Sequence, residues 1–474
     1  MKSMQRPIRT IASAAVLAMM ANSVANAGSF SLYTESSPAA IGNYGAGLAA
    51  EAADASTGWY NPAGLSLLHR QEVVTGEVTA FVSAKLSGAS TFSTLGLPSY
   101  TQTFSNLSGG KMGYIPSFHY ALPFGQNMAF GLSFVAPFGL ATQWDRVGPV
   151  RYAATTSNLV TANLSPEIGG RLTDHFALGL GIDLQYARVR FHSVLGAPTS
   201  LLQFNLPYFL DSLSYNKGHS YGVGFHAGGM LLFQHDHTRI GLNYQSQMRH
   251  RFNGFSRLQG RLASLGPTLT PSAVLAADGE AIFWSDTLTS NNVIFPDVTT
   301  LSIYKDINSR LAILGSAVYT GWNSLKTLEL QRVAAYAPQL AQTLVNSATT
   351  ENYRNVWRFA LGANYQLTDT LMLRVGGGWD ETPTRNEFRD VRIPDTNRWA
   401  ASVGAHYQLQ PNIGFDLGYT HLFSAGHYRI NRTNAVGATS TYNVDASINA
   451  HADLVGVQAV WVLDQPAPMI APTK

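Results

Sequence analysis

The sequence predicts an all-β fold, a transmembrane antiparallel β-barrel of about 14 strands. Three observations predict it. Apolar residues alternate with small or polar residues over many segments, which is the period of a strand with one apolar face. Charged residues make up 12% of the chain, against about 25% in an ordinary soluble domain. Short and long connections alternate between the candidate strands, as they do in outer-membrane barrels.

The clearest alternation lies in residues 174–191. Its apolar face runs for about 11 residues, which a tilted strand needs to cross hydrocarbon. The same face continues through Tyr186 to Arg188 and Arg190, while Asp183 lies on the opposite, polar face. A strand of a soluble sandwich also alternates, but an aromatic residue followed by cations is expected where a strand leaves lipid. The apolar face consists of Phe176, Leu178, Leu180, Ile182, Leu184 and Tyr186.

Residues 1–27 have the pattern of a secretory signal peptide. A basic start precedes an apolar core at 11–20, and Ala25-Asn26-Ala27 forms an A-x-A cleavage site. The alternative, a membrane anchor helix, fits less well because the core is too short to span a bilayer. No later segment approaches 18 consecutive apolar residues, so a membrane-embedded chain would cross as a closed barrel.

The charge balance gives no reason to expect nucleic acid as a partner. Three of the 31 basic residues lie in the signal segment, so 28 remain, equal to the 28 acidic residues. The chain has no cysteine, which agrees weakly with passage through an oxidising compartment without disulfides.

Residues 28–70 lack alternation and are rich in Ala, Gly and Ser, with short helices predicted around 46–53 and 61–68. Residues 71–463 form the predicted barrel, and 464–474 a Pro-rich tail. The even number of strands is what bacterial barrels require. The predicted strands are 72–84, 113–122, 128–140, 158–171, 175–191, 219–234, 238–250, 286–305, 309–322, 352–366, 370–381, 392–409, 413–430 and 441–463.

The connections predict which side of the membrane each end of the barrel faces. Tight turns lie at 124–127, 172–174, 235–237, 367–369 and 410–412, and long segments lie between them. Short turns are expected on the periplasmic side. Two long segments contain apolar, helix-capable runs, 200–213 and 258–277, and an apolar surface site would explain them.

Catalytic and metal chemistry have little support. His235-Asp236-His237 is interpreted as a solvated turn, because no further ligands accompany it. Ser and His residues are scattered without a nucleophile elbow, and no glycine pattern opens a helix as a phosphate cradle would. No enzyme activity, metal or cofactor is therefore expected.

Two motifs carry a family resemblance. WYNPAG at 59–64 soon after a signal peptide, followed by APFGLAT at 136–142, resembles the FadL/TodX family of outer-membrane transporters for long-chain fatty acids and other hydrophobic compounds. The order of the strands around 156–188 and 355–383 is similar as well. The resemblance implies a fourteen-stranded barrel, an N-terminal hatch over residues 28–70, and passive inward diffusion of cargo. It also implies a kink in the third strand that opens the wall sideways.

The kink has a physical reason of its own. Pro137 interrupts the third strand, because proline cannot donate a ladder hydrogen bond, and Gly139 adds a flexible position. Counting back through the turn at 124–127 places Pro116 near the same level. The alternative is that both prolines mark strand ends near the rim. Asn61-Pro62 is expected to begin a helix, with Asn61 as N-cap and Pro62 at N1.

The function predicted is passive uptake of hydrophobic molecules with lateral exit at the kink. A general porin for polar solutes and a structural or adhesive barrel stay open as alternatives. The cargo is a fatty acid or a hydrocarbon, since no cation is placed securely for a carboxylate. Outer-membrane lipid and lipopolysaccharide are expected neighbours, and the chain is expected to be a monomer. The candidate ligand-binding or gate residues are Phe30, Asn61, Pro62, Ala63, Ala136, Pro137, Phe138, Gly139, Arg190, Arg358 and Arg374.

Overall fold

The computed structural model describes residues 30–268 and 270–463. Fourteen antiparallel strands follow one another around a closed barrel, as the alternation predicts. They are β1 (Glu72–Thr94), β2 (Met112–Phe124), β3 (Met128–Val135), β4 (Thr156–Thr173), β5 (Phe176–Leu195), β6 (Ser212–Phe233), β7 (Thr238–Gln245), β8 (Val298–Asp306), β9 (Leu311–Thr320), β10 (Val356–Thr368), β11 (Leu371–Asp380), β12 (Arg398–Gln410), β13 (Ile413–Ser424) and β14 (Ser440–Val462).

The barrel closes between its first and last strands. β1 pairs with β14 along its whole length, from Glu72 opposite Val462 to Thr94 opposite Ser440. Closure pairs the first strand with the last, so neither is left as an open edge within lipid. The predicted all-β barrel is confirmed, and the predicted signal peptide and C-terminal tail lie outside the described residues.

The two faces of each strand differ as the alternation requires. On β5, Leu180 and Ile182 are about half exposed, whereas Asp183 and Gln185 face the interior with almost no exposure. The outward faces of β11 and β12 carry Trp379 opposite Trp399, with ring centroids 4.7 Å apart. Apolar outward faces bordered by aromatic rings are the pattern of a lipid-facing barrel wall. None of the helices among the described residues is long and apolar enough to span a membrane.

Several strand boundaries differ from the prediction. β8 begins at Val298 rather than 286, and β12 begins at Arg398 rather than 392. β3 ends at Val135, and a separate short strand, Gly139–Gln143, follows it. Alternation marks a strand but not the residue at which it leaves the barrel wall, so loop strands merged with barrel strands in the prediction.

The long connections contain structure of their own. They hold hairpins that extend the barrel wall, for example Thr327–Ala337 paired with Ala341–Thr350. The apolar runs 200–213 and 258–277 form only short helices, and much of their apolar surface packs together in a buried cluster around Leu210, Leu262 and Val274. The strands outside the barrel set are Tyr100–Ser108, Gly139–Gln143, Met248–His250, Asn253–Gln259, Ile282–Ser290, Val293–Phe295, Thr327–Ala337, Ala341–Thr350 and Tyr428–Val436.

The helices are all short. The helix predicted around 46–53 is absent, since Gly47 and Ala52 adopt positive φ there. The helix predicted at 61–68 exists as a 3₁₀-helix, Pro62–Leu67. The other 3₁₀-helices are Thr34–Ser36, Pro38–Asn43, Leu202–Phe204, Arg261–Ala263 and Trp322–Ser324, and the α-helices are Thr57–Tyr60, Pro198–Leu201 and Pro271–Ala276.

Candidate ligand-binding site

The wall of the barrel is interrupted at the third strand. β2 pairs with β3 only from Phe124 opposite Met128 to Phe118 opposite Phe134. The next piece, Gly139–Gln143, forms a ladder with β4 and, on its other side, an isolated bridge between Thr142 and Gly110, which precedes β2. Residues 112–117 of β2 pair with β1 on one side, and no ladder joins them to the third strand on the other. The interruption lies where proline was predicted to cause it.

The two prolines lie near the same level of the wall. Continuing the observed register by two residues places Pro116 opposite Ala136. Pro116 lies inside β2 and opposite Glu77 of β1, and Pro137 lies between two strand pieces. Neither proline therefore ends a strand at the rim, which was the alternative.

The N-terminal segment takes over part of the missing pairing. Leu32 N donates to Pro137 O at 2.8 Å, and Gly139 N donates to Phe30 O at 2.8 Å. On the other side, the Thr161 hydroxyl accepts from Phe138 N at 2.9 Å and donates to Phe138 O at 2.6 Å. The interruption is thus held from the interior and from β4, because no hydrogen bond from β2 reaches residues 136–139 in the described part of the chain.

Four aromatic rings pack behind the interruption. Phe30 lies 4.5 Å from Trp322 and 6.0 Å from Phe138, centroid to centroid, and Phe138 lies 4.9 Å from Phe295. All four side chains are buried. Edge and tilted contacts of this kind add to the stability of an apolar cluster. The segment 136–139 is therefore anchored inward through Phe138.

An apolar cavity of about 50 Å³ adjoins these rings. A second cavity of about 120 Å³ lies beside it toward the loops, and the two share Phe191, Leu328 and Arg392. Both volumes are small beside the roughly 300–1,000 Å³ of a drug-sized site, so a long ligand would displace side chains or the N-terminal residues. The smaller cavity is lined by Phe30, Leu140, Leu159, Val189, Phe191, Phe252, Val293, Phe295, Leu325, Leu328, Glu351, Arg392 and Ile393.

Two ionisable side chains border this apolar space. Arg392 pairs with Asp390 at 2.8 Å and keeps about a fifth of its side chain exposed. Glu351 is buried, and burial together with the negative charge of Asp390 raises its pKa to about 8, against the opposing effect of Arg392 and Arg432. At neutral pH the Glu351 carboxyl is thus mostly uncharged, and Arg392 is the cation that lines both cavities.

Arg392 was not among the residues predicted from the sequence. It lies in residues 381–397, which are irregular, whereas the prediction placed 392–409 in a strand. Asp390 and Arg392, two residues apart and without alternation around them, were the only signal. What gives Arg392 its position is the packing of this segment against β5 and the loop strands, which no local pattern encodes.

The three predicted cations occupy different environments. Arg374 is buried and paired with Asp416, which His406 also contacts at 3.0 Å. Arg358 faces the interior, donates to the Tyr44 carbonyl and lies 4.1 Å from the Tyr44 ring. Arg190 shares the outward face of β5 with Leu184 and Tyr186, so the structure does not bring it to the interior. Two of the three have a buried guanidinium nitrogen without a hydrogen-bond partner among the described residues, Nη1 of Arg358 in the interior and Nε of Arg190 on the outward face.

Asn61, Pro62 and Ala63 lie deep in the barrel. The Asn61 side chain accepts from Ala63 N at 3.1 Å as the predicted N-cap, and it donates to Ala49 O at 2.7 Å. It also donates to Gly229 O of β6 at 3.1 Å. This side chain therefore caps the helix and ties the N-terminal segment to the wall.

Inward glycines of the wall allow this close approach. A Cβ at Gly169 would lie 1.9 Å from Pro62 O, and one at Gly179 would lie 2.3 Å from Pro62 C. Real side chains cannot occupy such positions, so these two glycines of β4 and β5 are required by the N-terminal segment rather than by strand flexibility.

Comparisons with known proteins agree with this architecture. The model of the family described as outer membrane protein transport protein (OMPP1/FadL/TodX) matches residues 18–461. Outer membrane protein P1 of Haemophilus influenzae is 28% identical, covering 93% of this chain and 96% of that protein. The long-chain fatty acid transport protein of Salmonella typhi is 25% identical, covering 88% and 92%.

Two solved structures share the fold. A Pseudomonas aeruginosa FadL homologue superposes with a TM-score of 0.75 at 23% identity, covering 92% of this chain and all of that one. The Ralstonia pickettii toluene transporter TbuX superposes with a TM-score of 0.62 at 17% identity, covering 91% and 99%.

Proposed function

We propose that this chain, which belongs to the outer membrane protein transport protein family (OMPP1/FadL/TodX), is a passive channel for hydrophobic small molecules. The barrel lies in the outer membrane, as do the relatives named for that location. The observation that carries the proposal is the apolar cavity lined by Phe30, whose ring packs against Phe138 of the interrupted third strand. Cargo held there would reach the interruption by passing Phe30 and Phe138, where residues 112–117 of β2 have no ladder to the third strand among the described residues.

The proposed route begins among the loops. Cargo enters the larger cavity, passes Phe191 and Leu328 into the smaller one, and reaches Phe138. It leaves sideways into lipid between β2 and residues 136–139. Each CH₂ kept out of water is worth about 0.8 kcal/mol, so lateral exit avoids a large aqueous cost for a long chain.

We further propose that residues 28–70 act as a hatch. Residues 30–67 fill interior space through buried contacts, among them Leu32, Ile41 and Tyr44 in a cluster with wall residues. Movement of Phe30–Leu32 would release both hydrogen bonds that hold Pro137 and Gly139. The hatch and the wall opening would then be one coupled element.

The proposal is tested by comparing two fluxes through liposomes that carry the folded protein. We expect a fluorescent fatty acid to enter faster than through protein-free liposomes, and sugars to cause little swelling. Rapid sugar swelling would instead support a general porin. Absence of both fluxes would favour a structural or adhesive barrel.

Arg392 is the proposed contact for a cargo carboxylate. We expect Arg392→Met to weaken fatty-acid binding by a factor of about 10–100, since charge-assisted hydrogen bonds contribute about 1.5–3 kcal/mol. Binding of a neutral alkane of the same length should stay within about twofold. Binding of both ligands is measured by displacement of a fluorescent fatty acid from the detergent-solubilised protein.

Two variants control for other effects of Arg392→Met. The double variant Asp390→Asn/Arg392→Met removes the ion pair together, so no buried carboxylate is left unpaired, and it should show the same selective loss. Arg432→Met removes a nearby cation that donates to Phe388 O and Thr350 O and does not line either cavity. Equal losses for alkane and fatty acid in the Arg392 variants would assign Arg392 a purely structural role.

Glu351 predicts a pH dependence. Its pKa of about 8 lies above the value of an exposed Glu, so the carboxyl is neutral below pH about 8 and gains a negative charge above it. A fatty-acid carboxylate is ionised throughout this range and would then be repelled. We expect fatty-acid affinity to fall by up to about tenfold between pH 6.5 and 9.5.

The same titration with a fatty alcohol is the matched control, because a neutral head group should show no such fall. Glu351→Gln should flatten the fatty-acid curve at the affinity the parent has at low pH. A curve that falls equally in the parent and in Glu351→Gln would assign the pH effect to another group.

A further inference from the structure

Four cations form a strip on the outer surface of the barrel. Arg188 and Arg190 lie on the outward face of β5, Lys217 lies opposite Arg190 on β6, and Arg257 lies on the next strand, Asn253–Gln259. Directly opposite residues have Cβ atoms about 5 Å apart, and alternate residues on one strand are about 7 Å apart. We call these four residues the cationic strip.

The strip lies just above the lipid-facing zone. On β5 the outward face is apolar from Phe176 to Leu184 and then reaches Tyr186, which lies 5.4 Å from Tyr221 of β6. Ten residues of a strand tilted by about 40° rise about 25 Å along the barrel axis, the height of the apolar band of such barrels. Arg188 and Arg190 then lie about 5 and 10 Å higher, at the level of lipid head groups.

No carboxylate among the described residues pairs with the strip. Within the described residues, none of its four members forms an ion pair. The Nε atoms of Arg188, Arg190 and Arg257 are buried and have no hydrogen-bond partner there. Asp286 is exposed on the adjoining strand and does not pair with them. Neighbouring cations without an acceptor repel one another, so an external anion would be favoured.

A stack of aromatic rings orients two of the cations. Tyr215, Phe255 and Trp284 lie nearly parallel, with centroids 5.7 and 4.6 Å apart. The Arg257 guanidinium lies 4.6 Å from the Tyr215 centroid, and the Lys217 ammonium lies 6.0 Å from the Phe255 centroid. Aromatic rings with one apolar and one wet edge suit the membrane interface, and Arg stacked on a ring keeps its N–H donors free for phosphate.

We propose that the cationic strip binds the phosphorylated head group of a glycolipid in the outer leaflet, the lipid A part of lipopolysaccharide. The phosphate oxygens accept hydrogen bonds from the Arg and Lys side chains. The acyl chains lie along the apolar outward face of β5 and β6 below the strip, and the sugar rings lie against the aromatic stack. Free phosphate satisfies only the first of these contacts. The inference concerns the outer surface and stands independently of the transport route.

The test compares two double variants of the full chain in nonionic detergent. Arg188→Gln/Arg190→Gln is expected to bind diphosphoryl lipid A at least about tenfold more weakly than the parent by native mass spectrometry. Lys85→Gln/Lys111→Gln removes two exposed cations on the β1–β2 side and is expected to bind like the parent. Heat-modifiable migration on SDS gels confirms that each variant forms the barrel.

Further arms separate the glycolipid from a simple anion. Lipid A without its phosphates should bind weakly. Inorganic phosphate at millimolar concentration should not displace diphosphoryl lipid A. Asp286→Asn should tighten the binding of diphosphoryl lipid A, because it removes a negative charge beside the strip. Parent-like binding in the Arg188/Arg190 variant, or an equal loss in the Lys85/Lys111 variant, would overturn the site. Displacement by inorganic phosphate would overturn the glycolipid assignment.

Discussion

Sealing the interruption in the third strand is expected to lower uptake of hydrophobic substrate by at least about tenfold while the folded barrel persists. The change replaces residues 136–139 with Val-Thr-Val-Thr. It restores the backbone donor that Pro137 lacks and introduces β-branched residues throughout. The observed register places Pro116 opposite position 136, so the new segment can continue the ladder between β3 and β2. Fluorescent fatty-acid uptake by proteoliposomes measures the effect.

The side-chain pattern of this replacement suits the wall. Phe130, Leu132 and Phe134 share the outward face of β3, so Val at 136 and 138 would continue that face toward lipid and Thr would face inward. Removing Phe138 also withdraws the ring that packs against Phe30 and Phe295. The strand would thus lose its inward anchor at the same time as it gains pairing with β2.

The matched control keeps the proline. Val-Pro-Val-Thr at 136–139 makes the same changes at the other three positions but leaves the ladder without its donor, and it should retain most of the uptake. If the sealed variant is heat-modifiable and transports as well as the parent, lateral exit is wrong and cargo passes through the N-terminal segment.

Local patterns predicted the parts of the molecule that have local causes. The two faces of β5 follow from period-2 alternation, and Asn61 as N-cap follows from its own side chain and Pro62. The proline effect at 137 is local as well, since it needs only the missing N–H. Each of these is confirmed at the predicted residue.

Features created by tertiary packing were not predicted. Arg392 reaches the cavity from an irregular segment, and Gly169 and Gly179 are needed because Pro62 approaches them from a distant part of the chain. Arg190 differs from these features, because the alternation of β5 already gives the face on which it lies. Its residue number is even, like those of the apolar residues of that strand, so it belongs to the same outward face. The period-2 alternation, followed to the end of the strand, therefore assigns Arg190 to the outer surface, and the structure agrees.

Displacing the N-terminal segment is expected to open the lumen to small polar solutes. The double variant Gly169→Val/Gly179→Val places side chains where the Pro62 backbone lies, with Cβ contacts of 1.9 and 2.3 Å that no rotamer change relieves. The turn at Pro62–Leu67 must then leave the wall. A fourteen-strand barrel is only slightly narrower than the 16–18-stranded porins, which carry an aqueous channel, so we expect sugar flux in liposome swelling to rise about tenfold or more.

A matched pair of substitutions separates this effect from damage to the strands. Gly170 and Gly229 lie on β4 and β6, where the nearest neighbour of an added Cβ is a side-chain atom, at 3.3 and 3.4 Å, and backbone atoms lie at 3.7 and 3.8 Å. Gly170→Val/Gly229→Val should therefore leave sugar flux at the parent level. Deleting residues 30–67 should raise the sugar flux further than Gly169→Val/Gly179→Val does. If the deleted protein forms a heat-modifiable barrel that still excludes sugars, the loops close the lumen and residues 28–70 are not its hatch.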